Sequence, residues 1–324
     1  MEIVETELLF HLQQCFGAEC QLVDTTQFKG GARKQIYFLT LHNPDLPCVL
    51  YLWHNADNYF AERVAGGFEE TQSDEKAPAL FQAHTQLLRS HGVNTPEILY
   101  TGKFASGYHF ALVERIMGGD FDHFIATATP AERRAVCRQI HEQLTRMHGL
   151  TRAYPGAPQD RFTAQDELPQ ERALQRALLE VNATAAVEAS VAARKAEICA
   201  RLQVLRSQIA PRTSYNLLHG ELPGGHVLVR SSDQAVYFVD IEGIHYGDLE
   251  SEHTFLKWVY AAEDYQYFAR PDLEPARMAF YKYAMHVSLT YAGSCFIRRG
   301  FHDLAWAERL FERNLGEVLS QLTA

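Results

Sequence analysis

The sequence predicts an α+β chain in two lobes, a small antiparallel-sheet lobe followed by a larger, mainly helical one. Three observations predict it. Strand-like runs rich in β-branched and aromatic residues gather between residues 20 and 116. Helical periodicity dominates from about residue 130 onward. Between the two stands Gly118-Gly119, and the segment 116–120 is the natural join. The lobes are therefore expected at 1–117 and 118–324 of the 324 residues.

Taken in order, residues 3–16 carry Leu8, Leu9, Leu12 and Phe16 on one side of an amphipathic helix. Gln35–Leu41 and Cys48–Trp53 read as strands joined by the turn signal His42-Asn43-Pro44-Asp45. A small basic loop, Lys29 to Lys34 with Gly30 and Gly31, precedes them. Residues 75–91 form a helix that stops at Gly92. Strands follow over 97–100 and 108–116, then a helix over 130–148 with Val136, Ile140, Leu144 and Met147 at helical spacing. Prolines mark 151–169 as a loop. An Ala-rich helix is expected over 183–208, a loop-and-strand pair over 217–229 and 235–241, and helices after about 250.

Composition excludes several classes. Hydrophobic residues are 47% and charged residues 22%, as in globular proteins. Thirty Lys and Arg against 40 Asp and Glu give a net charge of −10, and no run of basic residues forms a phosphate-binding stripe, so no nucleic-acid partner is expected. The charge is compatible with a cationic small-molecule substrate. The longest apolar run, Cys48–Trp53, is far short of the roughly 20 residues that span a bilayer, so no membrane association is expected. The acidic start, Met1 to Glu7, is unlike a basic leader, and the six scattered cysteines read as reduced thiols; both suggest a cytoplasmic location. Oligomeric state is not legible.

The stretch with most chemistry is Leu217–Val229, where a tight loop carries His219, Glu221 and His226. Roughly ten residues on, a strand ends in Asp240 and Glu242. Polar groups at the ends of buried strands suit metal binding and general base work. His219-Gly220-Glu221-Leu222-Pro223-Gly224-Gly225-His226-Val227-Leu228 resembles the catalytic loop H-G-D-L-x-x-x-N-x-L of aminoglycoside phosphotransferases and choline kinase-like enzymes. Val239-Asp240-Ile241-Glu242 is similar to their metal motif, and Gly247-Asp248-Leu249-Glu250-Ser251-Glu252 to their G-D-P-x-x-D segment. The glycine loop, His91–Ile98, Leu112–Gly119 and Leu144–His148 agree in order and spacing, so the resemblance spans roughly residues 20–265.

The resemblance implies a two-lobed protein-kinase-like fold: an N-terminal nucleotide-binding lobe, a C-terminal catalytic and substrate-binding lobe, and ATP or GTP in the cleft. It implies transfer of the γ-phosphate to a hydroxyl of a small molecule, with an antibiotic or amino-alcohol acceptor as a family-level expectation. Glu221 would be the base, with His219 beside it in a mainly structural role. Asp240, His226 and Glu242 would form the metal site, for Mg²⁺ or Mn²⁺. Gly30, Gly31, Arg33, Lys34, Glu114 and Ile116 would hold the nucleotide.

The chain also departs from the pattern. Glu221 replaces the family's catalytic Asp, and His226 its metal-binding Asn. The third-strand Lys falls near Tyr51 and its helix Glu partner near Phe81. Losing both avoids a buried unpaired charge. Lys29, Arg33 or Lys34 could supply the missing cation, or each could be a solvated loop charge. Three readings stay open: an active small-molecule kinase, a weak or inactive relative that binds a nucleotide, and a His-carboxylate metal site built from His219, His226, Asp240 and Glu242. Glu250 and Glu252 could support the site from behind, contact substrate, or cap the following helix. Glu263, Asp264, Asp272 and Glu274 could hold a polyamine or form an exposed loop. Trp53, Trp258 and Trp306 are expected in the core.

Overall fold

The structure is a computed structural model that describes residues 5–28, 34–53, 77–160 and 168–322. The chain forms two compact units. The first comprises Met1–Gln143 with Gly224–Glu242, and the second Leu144–Pro223 with Gly243–Ala324. The expected join near 117 falls inside the first unit, because the short strand beginning at Gly118 pairs with a later segment of that same unit.

The first unit opens with α1 (Glu5–Phe16) and an antiparallel five-stranded sheet: β1 (Gln21–Phe28), β2 (Lys34–His42), β3 (Cys48–Trp53), β4 (Ile98–Lys103) and β5 (His109–Glu114), in the order β1-β2-β3-β5-β4. Helix α2 (Ala77–Ser90) lies between β3 and β4 in sequence. Side chains alternate across a strand, so each sheet face collects its own set. Tyr37, Leu39, Leu41, Cys48, Leu50, Leu52, Phe110 and Leu112 pack with Leu8 and Leu12 of α1 in one core cluster. The register pairs Lys34 with Trp53, Ile36 with Tyr51, and Tyr51 with Ala111, and these residues occupy the opposite face.

Beyond β5, β6 (Gly118–Asp120) leads into α3 (Phe121–Ile125) and α4 (Pro130–His148), along which the chain enters the second unit. After a long excursion the chain returns with β9 (Val227–Arg230) and β10 (Val236–Phe238), which complete a β10-β9-β6 sheet. Gly118 makes the β6–β9 contact possible. Its φ is +147°, and a Cβ there would lie 2.1 Å from the Val229 carbonyl oxygen.

The second unit holds the small sheet β11-β8-β7, built from β7 (Thr151–Arg152), β8 (Tyr215–Leu218) and β11 (His245–Gly247). Around it are α5 (Pro169–Ala185), α6 (Ala189–Ala192), α7 (Lys195–Ser207), α8 (Leu249–Val259), α9 (Ala262–Tyr265), α10 (Pro275–Arg298) and α11 (Leu304–Ser320). The helix expected over 183–208 is thus three helices. Val181 of α5 and Ile198, Leu202 and Leu205 of α7 share one core cluster with Phe280 and Tyr283 of α10. A single straight helix would hold those residues apart, at ~1.5 Å per residue, whereas the break folds them onto one core. Trp53 is buried as expected, but Trp306 is 40% exposed, stacking its ring edge on Phe296 and Phe301. Among the described residues, no helix is long and apolar enough to cross a membrane.

Candidate active site

The first unit gathers three charged side chains at one point. Lys34, the first residue of β2, places Nζ 2.8 Å from Asp240 Oδ1 and 2.7 Å from Glu242 Oε1. Both carboxylates reach it because the chain turns sharply after β10. Asp240 has φ +61°, in the left-handed region, and Ile241–Gly243 follow as one 3₁₀ turn. Such a conformation costs a non-glycine residue of order 1–2 kcal/mol and marks a place where the backbone aims a side chain. The turn is held from two sides. His84 of α2 donates its Nδ1–H to the Ile241 carbonyl at 2.9 Å, and the Val239 N–H donates to the His226 carbonyl at 3.0 Å. The second of these brings His226 Nε2 to 3.8 Å from Asp240 Oδ2.

The electrostatics follow from burial. The Lys34 side chain is 9% exposed. Burial opposes its charge, but the Asp240 and Glu242 carboxylates outweigh that and hold the ammonium above the ordinary lysine range. Asp240 is 42% exposed, so its carboxylate also faces outward. Glu242 is largely buried, and its Oε2 has no hydrogen-bond partner among the described residues.

Beside this cluster Tyr51 stands where the resemblance implies a lysine. Its ring lies 4.9 Å under Lys34 Nζ. On its other side the Phe81 ring of α2 meets it edge-on, with centroids 5.6 Å apart. Burial pushes the Tyr51 hydroxyl up to about 12. At the end of β5, the Glu114 N–H donates to the Glu97 carbonyl and the Arg115 N–H to the Pro47 carbonyl, Ile116 is buried, and Met117 offers its carbonyl to Ser231.

The second unit carries Glu221 and His219. Glu221 is exposed at the end of the loop that leaves β8, whereas His219 is buried. That loop is fastened from below by Glu252 of α8, which accepts from the backbone N–H of His219 at 3.0 Å and of Gly220 at 3.1 Å. His148 Nε2 lies 2.7 Å from the other oxygen of Glu252. Burial opposes the Glu252 charge, but the His148 hydrogen bond and the surrounding histidines bring its pKa to about 2. Neither Glu250 nor Glu252 caps α8. Glu250 is clamped by Arg212 at 2.6 and 2.8 Å, and Asp248 takes Arg277 at 2.7 Å and the Tyr281 hydroxyl at 2.6 Å. The acidic stretch is likewise spoken for. Asp264 is buried, Asp272 pairs with Arg270, and Glu274 with Arg277.

The structure therefore brings Lys34, Asp240, Glu242 and His226 together, and sets Glu221 and His219 in the other unit. Gly30, Gly31 and Arg33 lie outside the described residues. The donor set suits one kind of cation better than another. Among the described residues, no group of three or more His, Cys, Asp or Glu is spaced to hold a metal by itself. The Lys34 ammonium fills the space that Asp240 and Glu242 would need to share an ion. The outward-facing Asp240 carboxylate fits Mg²⁺ brought in by phosphates, since Mg²⁺ usually takes only one or two protein carboxylates. His84, which holds the 240–242 turn, was missed as functional by sequence reading because it lies on an apolar helix face, whereas Glu252 was among the candidates for a supporting contact and takes that role rather than a cap.

Solved structures that resemble this chain in fold include phosphotransferases. Aminoglycoside phosphotransferase APH(4)-Ia aligns with a TM-score of 0.63 at 15% identity, over 96% of this chain and 98% of that chain. Aminoglycoside 2′-phosphotransferase-IIIa, in its GDP complex, gives 0.60 at 14% identity over 97% and 99%. A candidate fructosamine-3-kinase from Haemophilus somnus 129PT gives 0.61 at 14% identity over 97% of each chain. At these identities the likeness shows the fold, which is the two-lobed kinase-like one. No curated protein matches the chain in sequence. The profile of the phosphotransferase enzyme family, APH, matches residues 24–281, and the chain belongs to that family.

Proposed function

We propose that this chain is a small-molecule kinase, moving the γ-phosphoryl group of ATP or GTP to a hydroxyl of a small acceptor. The observation that carries it is the 240–242 turn, which presents an outward-facing carboxylate beside a buried ammonium. Opposite charges so arranged suit a metal-chelated polyphosphate. Relatives crystallised with ADP or AMP-PNP together with hygromycin B, and with GDP, support nucleotide use and a small hydroxyl-bearing acceptor.

In this reading Glu221 orients the acceptor hydroxyl and takes its proton. A bond forms between that oxygen and the γ-phosphorus, and the bond to the β–γ bridging oxygen breaks, its electron pair leaving with the nucleoside diphosphate. Asp240 would hold a Mg²⁺ ion, which would supply charge neutralisation on the phosphates. Glu252 keeps Glu221 in place through the His219 and Gly220 N–H groups. The backbone at Glu114 and Ile116 borders the base of the nucleotide. The acidic stretch over 263–274 adds little to acceptor binding, because Asp272 and Glu274 already have arginine partners.

The test is turnover with a Glu221→Gln comparison. The chain is incubated with ATP or GTP, Mg²⁺ or Mn²⁺, and a panel of amino sugars, ketosamines and amino alcohols, with phosphorylated product followed by ³¹P NMR. Transfer to at least one acceptor is expected. Glu221→Gln is expected to lower it at least ~100-fold while leaving nucleotide affinity within about 2-fold. Retained transfer in Glu221→Gln removes Glu221 as base. Nucleotide binding without product across the panel favours a non-catalytic binder.

A further inference from the structure

Of the five lysines within the described residues, Lys103, Lys195, Lys257 and Lys282 are exposed, and Lys34 is the one drawn inward. Burying an ammonium is costly, and a long flexible side chain is not normally spent on it without return. The turn it contacts has other fastenings, the His84 contact to the Ile241 carbonyl and the Val239–His226 backbone bond. Among the described residues, one ammonium faces two carboxylates, and Glu242 Oε2 is left buried without a hydrogen bond.

The geometry points to Lys34 as the side chain that holds the phosphates of the nucleotide, delivered by β2 rather than by β3, with Glu242 as its positioning residue. This deepens the kinase reading above and rests on it.

The sheet register explains how a second-strand lysine does this. Lys34 is opposite Trp53, and Ile36 is opposite Tyr51, so Lys34 sits on the same face as Tyr51 and diagonal to it. Diagonal neighbours are ~7–8 Å apart or less, within reach of a long side chain. The ammonium does reach over the Tyr51 ring. A lysine rooted at either position would thus bring its charge to the same spot. No acidic residue of α2 competes for it, because Ala77–Ser90 contains no Asp or Glu. The carboxylates of the 240–242 turn hold it instead.

That choice of partner gives the lysine a pivot. Asp240 is the exposed member of the pair and Glu242 the buried one. If Asp240 turned outward to a nucleotide-borne cation, Lys34 would stay tethered to Glu242, with hydrogen-bond donors to spare for phosphate oxygens. Charge-assisted bonds of this kind are the strong ones.

The experiment is calorimetric titration of ATP and GTP, and of adenosine and guanosine as phosphate-free controls, all with Mg²⁺. The chains compared are wild type, Lys34→Met, Glu242→Gln, Lys34→Met/Glu242→Gln and Lys34→Met/Tyr51→Lys. Removing Lys34 alone leaves Glu242 buried and unpaired, so the double variant with Glu242→Gln guards against misfolding. Lys34→Met/Glu242→Gln is expected to bind the triphosphate about 10- to 100-fold more weakly than Glu242→Gln. Nucleoside affinity is expected to stay within about 2-fold. Lys34→Met/Tyr51→Lys is expected to recover part of the triphosphate affinity. Equal triphosphate binding by Glu242→Gln and Lys34→Met/Glu242→Gln overturns the assignment of Lys34 and leaves the kinase reading standing. A wild-type chain that binds no triphosphate overturns both.

Discussion

Tyr51 and Phe81 meet edge to face, 5.6 Å between ring centroids, near the positions where the resemblance implies a lysine and a glutamate. Both rings are buried, and Trp53 extends the contact from Phe81 at 5.7 Å. An aromatic pair stands here where the resemblance implies an ion pair; it needs no desolvated charge and contributes ~0.5–1.5 kcal/mol beyond its buried area. Phe81→Glu alone buries a carboxylate among rings, and we expect it to lower stability by about 3 kcal/mol or more. Adding Tyr51→Lys is expected to restore part of that loss. Urea unfolding of the two variants checks it, and a double variant no more stable than Phe81→Glu refutes it.

Glu252 makes the second unit acid-sensitive. Its folded pKa, about 2, lies below the value of 4.5 that it has when exposed. A depressed carboxylate contributes stability that is fully present above the unfolded pKa and is lost as pH falls toward the folded one. The window is therefore pH 4.5 down to about 2, and the contribution is on the order of 3 kcal/mol. Glu252→Gln removes that contribution. We expect it to be less stable than wild type at pH 7, with the difference shrinking steadily as pH falls below 4.5. Denaturant midpoints at pH 7, 4.5 and 3 measure it, and a gap that does not narrow contradicts the assignment.

Gly118 and Gly225 give a matched stability comparison. At Gly118 the backbone is left-handed and a Cβ would strike the Val229 carbonyl, whereas at Gly225 a Cβ meets nothing within 4 Å. Gly118→Ala is expected to cost at least ~2 kcal/mol through strain and the forced separation of β6 from β9. Gly225→Ala is expected to stay within about 1 kcal/mol of wild type. Thermal unfolding of both distinguishes a general glycine effect from this particular close approach.

Much of the fold was legible. A run of β-branched and aromatic residues located Cys48–Trp53, the stop at Gly92 ended α2 within two residues, and the ordered motifs from Gly30 to Glu252 pointed to the family. The site was legible only in part. Asp240 and Glu242 stand out because they end a buried strand, but three basic residues near Gly30 looked equivalent in sequence. The break between α5 and α7 escaped notice because residues 186–194 contain no Gly or Pro. The shared core bends the chain there, and a core is not a local property. Glu252 resembled a cap because it lies in the first turn of a helix, yet its partners are 32 to 104 residues away.

By itself the sequence determined which chemical groups exist and in what order. It shows a carboxylate at 221, two at 240 and 242, no lysine on β3 and no acid on α2. Spacing within a strand or helix is local geometry, so it could be read directly. Which cation meets those carboxylates was decided only by tertiary structure. Lys34 and Asp240 are 206 residues apart in the chain, and their contact depends on the β2–β3 register and on a left-handed turn after β10. The same holds for the fastening of the Glu221 loop by Glu252. Such pairings arise when distant segments pack together, and no periodicity in one segment encodes the partner it will meet.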